Sequence, residues 1–263
     1  MKKSFTIITL LILLATTGLA MGESPTTPLT LEGLQSKVNN KLLQMDQDTA
    51  LAAQELALPK LAKDQSKIIN QLYRKHTSII DCAIIDINGK ISFIEPKKYQ
   101  SSEGLMVSQP DQLLKIKETQ KPIFSNLFKA AEGFYAVSLA YPILTEEKEI
   151  KGFLSVVLQP DALIRKNLLS FKSDKSVEVL AIQTDGRIIY DKDILQVGKM
   201  TFSDPSYQSY SSLLELAKRI TQEASGQGNY EFTKQGETTT SEKVSAWTTI
   251  SLHNTSWRLI ISK

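Results

Sequence analysis

The sequence predicts an α+β fold: two similar antiparallel-sheet units in tandem, behind one long helix. Three observations carry this. The stretch CAIIDINGKISFIE, Cys82 to Glu95, returns as LAIQTDGRIIYD at Leu180 to Asp191, with Gly89 and Gly186 97 residues apart. Both copies turn on Asn88-Gly89 or Asp185-Gly186 among β-branched residues, the strongest short hairpin signal, because the central positions of such a turn need positive φ. Ahead of the first copy, Leu31, Leu34, Val38, Met45, Thr49, Ala52 and Leu56 recur at three- and four-residue steps, one narrow stripe of a helix. A repeat this long and irregular is no solenoid, and 263 residues suffice for two modest cores.

The N-terminus, MKKSFTIITLLILLATTGLAMGESP, places two lysines before an apolar run and then small residues. That order is a secretory signal over 1–22, cut after Ala20 or Gly22; a retained single-span anchor is the alternative, the run being short for a span of about 20 residues. The expected location is secreted or periplasmic. Residues 23–76 form the helical segment, which Pro59 should kink or break, and which resumes through Leu61, Ile68 and Leu72 to His76. It packs along the two units or serves as a dimer seam.

The first unit, 77–160, opens with a hairpin from Ile79 to Ile94 and continues through a loop with Pro96, Tyr99 and Gly104. Pro110 suits the first position of a short helix ending near Glu118. Strands follow at Ile123–Phe128, Phe134–Ile143 and Ile150–Leu158. Pro160-Asp161-Ala162 starts a helix to about Leu169, and the linker spans 161–175. The second unit, 176–263, repeats the order: strands Val177–Gln183 and Arg187–Tyr190, a loop with Gly198, a helix from Tyr207 to Ala224 closed by Gly226, then strands Asn229–Lys234, Lys243–Leu252 and Trp257–Ser262.

Composition excludes several classes. Without Lys2 and Lys3 the 31 basic residues become 29 against 28 acidic, and no basic run suggests nucleic acid. The single Cys82 reads as a small core residue. His76 and His253 stand apart and give no metal signal, no cofactor motif is found, and no elbow serine, phosphate loop or His-Glu-x-x-His supports an enzyme.

With these elements in order, the chain resembles a double Cache domain, the tandem PAS-like extracytoplasmic sensor of microbial receptors. The first unit carries the resemblance through Ile84-Ile85-Asp86-Ile87-Asn88-Gly89-Lys90-Ile91, Gly104, Pro122-Ile123-Phe124-Ser125, Gly133-Phe134-Tyr135, Tyr141-Pro142 and Lys151-Gly152-Phe153. The second carries it through Asp185-Gly186, Val197-Gly198, Gly228-Asn229-Tyr230, Trp247 and Trp257. The resemblance spans Leu31 to Lys263. It implies a five-stranded antiparallel sheet per unit and a small-ligand pocket in the first, membrane-distal unit, between the sheet and the loop-and-helix segment. Transferred here, the lining runs from Tyr99 to Ser125 and along Phe134 to Tyr141. The Arg-x-Trp pair of amino-acid-binding members has no counterpart, since Tyr99 to Tyr141 holds neither arginine nor tryptophan. Nor does a membrane helix with an output module follow, so the expectation is either a free-standing binding protein that passes its state to a partner or a shortened receptor.

The candidate ligand residues are Tyr99, Ser125, Tyr135, Ser138 and Tyr141. Alternation puts Tyr135, Val137, Leu139 and Tyr141 on one face of their strand and Phe134, Ala136, Ser138 and Ala140 on the other. Tyrosine suits a small-ligand site through its apolar body and polar tip, and Ser125 could donate to a carboxylate. The expected ligand is a small carboxylate or similar molecule met by hydroxyls and one lysine, Lys121 or Lys129. The expected partners are that ligand and, in the alternative reading, a membrane receptor or second copy held by the N-terminal helix.

Overall fold

Thr30 opens the first helix. Its Oγ1 accepts from the Gly33 N–H at 3.1 Å, satisfying one of the unpaired donors at a helix start. The computed structural model describes residues 27–58, 62–130, 133–233 and 240–263. The leader, Pro59 and Leu61 lie outside these residues. Helix α1 (Leu31–Ala57) is about 40 Å long at 1.5 Å per residue, and α2 (Ala62–Lys75) follows it.

Strands β1 (Ile79–Asp86) and β2 (Ile91–Glu95) form the first hairpin. After α3 (Pro110–Thr119) come β3 (Ile123–Phe124), β4 (Phe128–Lys129), β5 (Tyr135–Leu144) and β6 (Ile150–Leu158). The sheet order is β2-β1-β6-β5-β3, with β4 also paired to β5. Helix α4 (Pro160–Leu168) leads to β7 (Glu178–Gln183), β8 (Ile188–Tyr190), α5 (Ser211–Gln222), β9 (Gly226–Thr233), β10 (Thr240–Leu252) and β11 (Thr255–Ser262). The second sheet runs β8-β7-β11-β10-β9, the same circuit. No helix among the described residues is long and apolar enough to cross a membrane.

Two details differ from expectation. The single strand foreseen over Ile123–Phe128 is broken, because Ser125 substitutes its side chain for backbone. Its N–H bonds Ser138 O at 2.8 Å while its Oγ accepts the Ser138 N–H, also at 2.8 Å, and the chain then turns outward to give the Leu127 N–H to Gln183 Oε1 at 2.6 Å. Gly226 does not close α5, whose C-cap is Glu223; it begins β9, where the Trp247 ring occupies the space a Cβ would need.

Each sheet is covered on both faces, which gives three cores. The largest lines α1 with the near faces of both sheets: Leu34, Val38, Leu42, Met45 and Leu56 meet Val137, Leu139, Leu154 and Val156 of the first and Ile250, Trp257 and Leu259 of the second. The predicted stripe is therefore a spine within one chain. Leu34 and Val38, the residues at which a dimer seam would begin, have no exposed surface. On the far faces, α3 covers Ala83, Ile85 and Phe153, and α5 covers Ile182, Ile260 and Trp247.

The spine carries charge at Asp48, which is buried and accepts from Lys75 Nζ at 2.7 Å and His76 Nε2 at 2.8 Å. Burial would raise the Asp48 carboxyl, but the hydrogen bonds from Lys75, His76 and Gln44 outweigh it and hold it below its ordinary value. For His76 burial dominates and lowers the imidazole, against the pull of Asp48. Both groups thus bind protons less readily folded than unfolded, so stability rises with pH through each range. Acidification should cost stability first below about pH 6.5, as the unfolded state takes up the His76 proton, and again below about pH 4 through Asp48. Thermal melts from pH 7.5 to 5.5 test the first step, which His76→Gln should flatten.

Candidate ligand-binding site

A cavity of about 240 Å³ lies on the far face of the first sheet, beneath the loop after β2 and the start of α3. Its floor follows from strand register. Asp81 pairs with Val157 and Val157 with Ser138; in the next row Ala83 pairs with Ser155 and Ser155 with Ala140. Directly paired residues share a face, and all six line the cavity. Small side chains in these rows leave the hollow that larger ones would fill. Ser138 and Ser155 hydroxyls bond each other at 3.0 Å. A register shift in β2 places Ile91 opposite Ile85 and Ile94 opposite Ala83, so both contribute to the wall.

The roof is stitched to the hairpin by its backbone. Gly104 N–H bonds Ile91 O at 2.8 Å and Ile91 N–H bonds Leu105 O at 2.9 Å, with Gly104 at φ 87°, the left-handed region that favours glycine. This brings Tyr99, Ser102, Met106, Ser108, Gln109 and Gln112 over the floor, while Phe128 and Phe134 close the side.

Of the residues singled out by sequence, Tyr99 and Ser138 line this cavity; Ser125, Tyr135 and Tyr141 do not. Ser125 is committed to the strand break at β3. Tyr135 lies over Gly198 of the second unit. The Tyr141 hydroxyl donates to Asp46 of α1 at 2.5 Å, and His253, in the β10–β11 turn, bonds the same carboxylate oxygen at 2.6 Å. Burial and the adjacent Asp46 push the Tyr141 phenol far above its ordinary value. Both tyrosines thus sit on the face that meets α1, because the spine needs the bulky residues of β5 and the hollow needs the small ones. Lys121 and Lys129 are exposed and are not in the lining. Among the described lining residues the expected carboxylate ligand would find hydroxyls but no lysine.

Sequence reasoning passed over Asp81. The signal was present: a half-buried acid inside the apolar run Ile79-Ile80-Asp81-Cys82-Ala83 has a desolvation cost that a plain core strand would avoid. Cys82, one residue on, faces the spine, and burial raises its thiol well above the ordinary range.

Residues 40–160 match the family described as HK/GC/chemotaxis protein-like, sensor domain. An extracellular ligand binding receptor from Desulfohalobium retbaense superposes with a TM-score of 0.70 at 28% identity, covering 88% of this chain and 39% of the receptor chain. The chain has the tandem PAS-like fold of a sensor domain. Further structural neighbours are the ligand-binding domain of the Pseudomonas aeruginosa amino acid chemoreceptor PctB, in complex with L-Gln (TM-score 0.61, 15% identity, 88% of this chain and 87% of that one), and the periplasmic sensory domain of the Campylobacter jejuni chemoreceptor Tlp1 (0.64, 13%, 88% and 91%). No curated protein matches the chain by sequence. The cavity lies between the first sheet and the loop-and-helix roof that follows β2.

Proposed function

We propose that the chain is an extracytoplasmic small-molecule sensor module of the double Cache type, binding its ligand in the first-unit cavity. The observation that supports this is the hollow itself: two rows of small floor residues, Ala83, Ser138, Ala140 and Ser155, under a roof of loop and helix. The volume is near the lower end of ligand pockets, which suits a ligand the size of a small metabolite. The domains span 77–160 and 176–263, joined by the linker 161–175, with the second acting as a frame. A second reading, pairing through α1 with another copy or a membrane receptor, is supported by Leu43 and Leu51, exposed on that helix, and Leu58, exposed at its C-cap.

The test is a thermal-shift screen followed by plugging. A ligand specific for the folded state stabilises by RT ln(1 + [L]/Kd), about 2.7 kcal/mol at one hundred times Kd, a shift of several degrees. Ser108→Trp, at the exposed mouth, should abolish the shift while leaving the melting temperature without ligand unchanged. A shift of full size in that variant places the binding elsewhere.

A further inference from the structure

The second unit shows what its own chain puts into the hollow that the first unit leaves open. The 97 residues between the two turn glycines also separate Ala83 from Leu180, and strand pairing carries the match across each sheet. The floor row Ala83–Ser155–Ala140 of the first unit becomes Leu180–Ile260–Trp247 in the second. The row beside it keeps its serine, Ser138 matching Ser245.

Two tyrosines complete the filling. Phe128 pairs with Ala136, two residues before Ser138, and Tyr230 pairs with Lys243, two before Ser245, so Tyr230 is the counterpart of Phe128. Its ring packs into the far-face core of the second sheet, and its hydroxyl faces Ser262, which bonds Ser245 at 2.7 Å. Burial, with Glu178 nearby, pushes this phenol up to about 12, so it stays uncharged at neutral pH. Tyr207 packs into the same core, from a stretch the first unit lacks. Thr201 and Val107 make equivalent backbone bonds, to Gly186 O and Gly89 O, yet α5 begins ten residues on, at Ser211, and α3 only three on, at Pro110.

Where the second unit has phenol rings beside a serine pair, the first has a cavity of about 240 Å³ over one. The Ser138 and Ser155 hydroxyls, both buried, bond each other at 3.0 Å, which leaves one O–H to give and lone pairs to accept. Above and beside them stand the rings of Tyr99, Phe128 and Phe134. An apolar cavity of about 150 Å³ already admits benzene, so a substituted ring fits here. The lining calls for no charge. Among the described lining residues there is no lysine, arginine or histidine, Asp81 has its interaction within the chain, and Asp111 in the first turn of α3 answers the positive end of that helix.

We infer that the first-unit cavity takes an uncharged phenol, a single aromatic ring whose hydroxyl meets the Ser138–Ser155 pair. This rests on the reading of the cavity as the ligand site. The ligand supplies from outside what Tyr230 supplies from within the second unit. Its ring lies among Tyr99, Phe128 and Phe134, where offset or edge-on contacts favour an aromatic body over an aliphatic one of the same size. Its hydroxyl both gives and accepts, as the serine pair requires. A carboxylate would lose its hydration in this lining with no base to offset the loss.

The experiment is calorimetry on the full chain with four probes of similar size: p-cresol, benzoate, benzylamine and 4-methylcyclohexanol. The expected result is that p-cresol binds, while the others, which carry a charge or lack the aromatic ring, bind at least tenfold more weakly. Ser138→Ala should then lower the p-cresol affinity about 2- to 10-fold, the net worth of a neutral hydrogen bond; an unchanged affinity overturns the placement of the hydroxyl. Preference for another of the four, lost in Ser108→Trp, overturns the phenol and leaves the cavity as the site. Binding of p-cresol undiminished in Ser108→Trp overturns the cavity reading itself. Silence towards all four probes overturns the phenol as stated. The preference is read on the wild-type chain, so it decides the matter even if Ser138→Ala fails to fold.

Discussion

Val38→Lys is expected to unfold the chain, not to dissociate it. Val38 has no exposed surface and sits where α1 meets both sheets, so the new ammonium would be buried without a partner, at a cost of about 4 kcal/mol or more. That is a large part of the stability of an ordinary domain, about 5–15 kcal/mol. Urea denaturation followed by circular dichroism should show the loss as a much lower midpoint. Because the spine is common to both sheets, their transitions should move together. Light scattering on the same samples separates this from a role in association. If α1 mainly held a second copy, Val38→Lys would leave a folded monomer, and the mass change would be produced there and not by Leu51→Glu on the exposed face.

Trp257 gives the second large effect, and the outcome depends on the replacement. The side chain is 1% exposed, its ring lies 5.2 Å from that of Phe124 of the first unit, and its Nε1 has no hydrogen-bond partner among the described residues. Trp257→Ala should therefore cost about 3–5 kcal/mol through the cavity left between the units. Trp257→Phe keeps a ring and removes a buried unsatisfied donor, whose desolvation costs roughly 1–3 kcal/mol, so the lost packing is largely offset. Midpoints of urea unfolding compare the two. Equal damage from both replacements would mean that the volume of the indole matters and its nitrogen does not.

The sequence was most informative where a local rule and the tertiary structure agreed. Asn88-Gly89 and Asp185-Gly186 turn the hairpins β1–β2 and β7–β8, Pro110 and Pro160 start helices, and His253-Asn254 turns the last pair. The α1 stripe was legible too, since one narrow apolar line must be buried, although against what it packs is a tertiary fact. The cavity was less legible. Alternation correctly divided β5 into two faces, but periodicity carries no label for which face meets the spine. Tyr135 and Tyr141 suited a ligand by their chemistry, yet their bulk was needed against α1 and Gly198. Ser138 and Tyr99 reached the lining because a small residue and a roof residue are what a hollow requires. Ser125 could not be assigned from sequence, because its bond to the Ser138 N–H depends on a strand break that no propensity marks. Asp81 was visible only as a charge within an apolar run, and its place in the cavity floor followed from strand register.

The break at Ser125 has a mechanical consequence. The Leu127 N–H is held by Gln183 and the Phe124 carbonyl by Thr255, both in the second sheet, while Phe128 forms part of the cavity wall. From Phe128 to the nearest of these anchors is a single Cα step, about 3.8 Å, with no slack in which a displacement could dissipate. The wall of the hollow and the edge of the neighbouring sheet are thus joined through one short, doubly anchored stretch of chain.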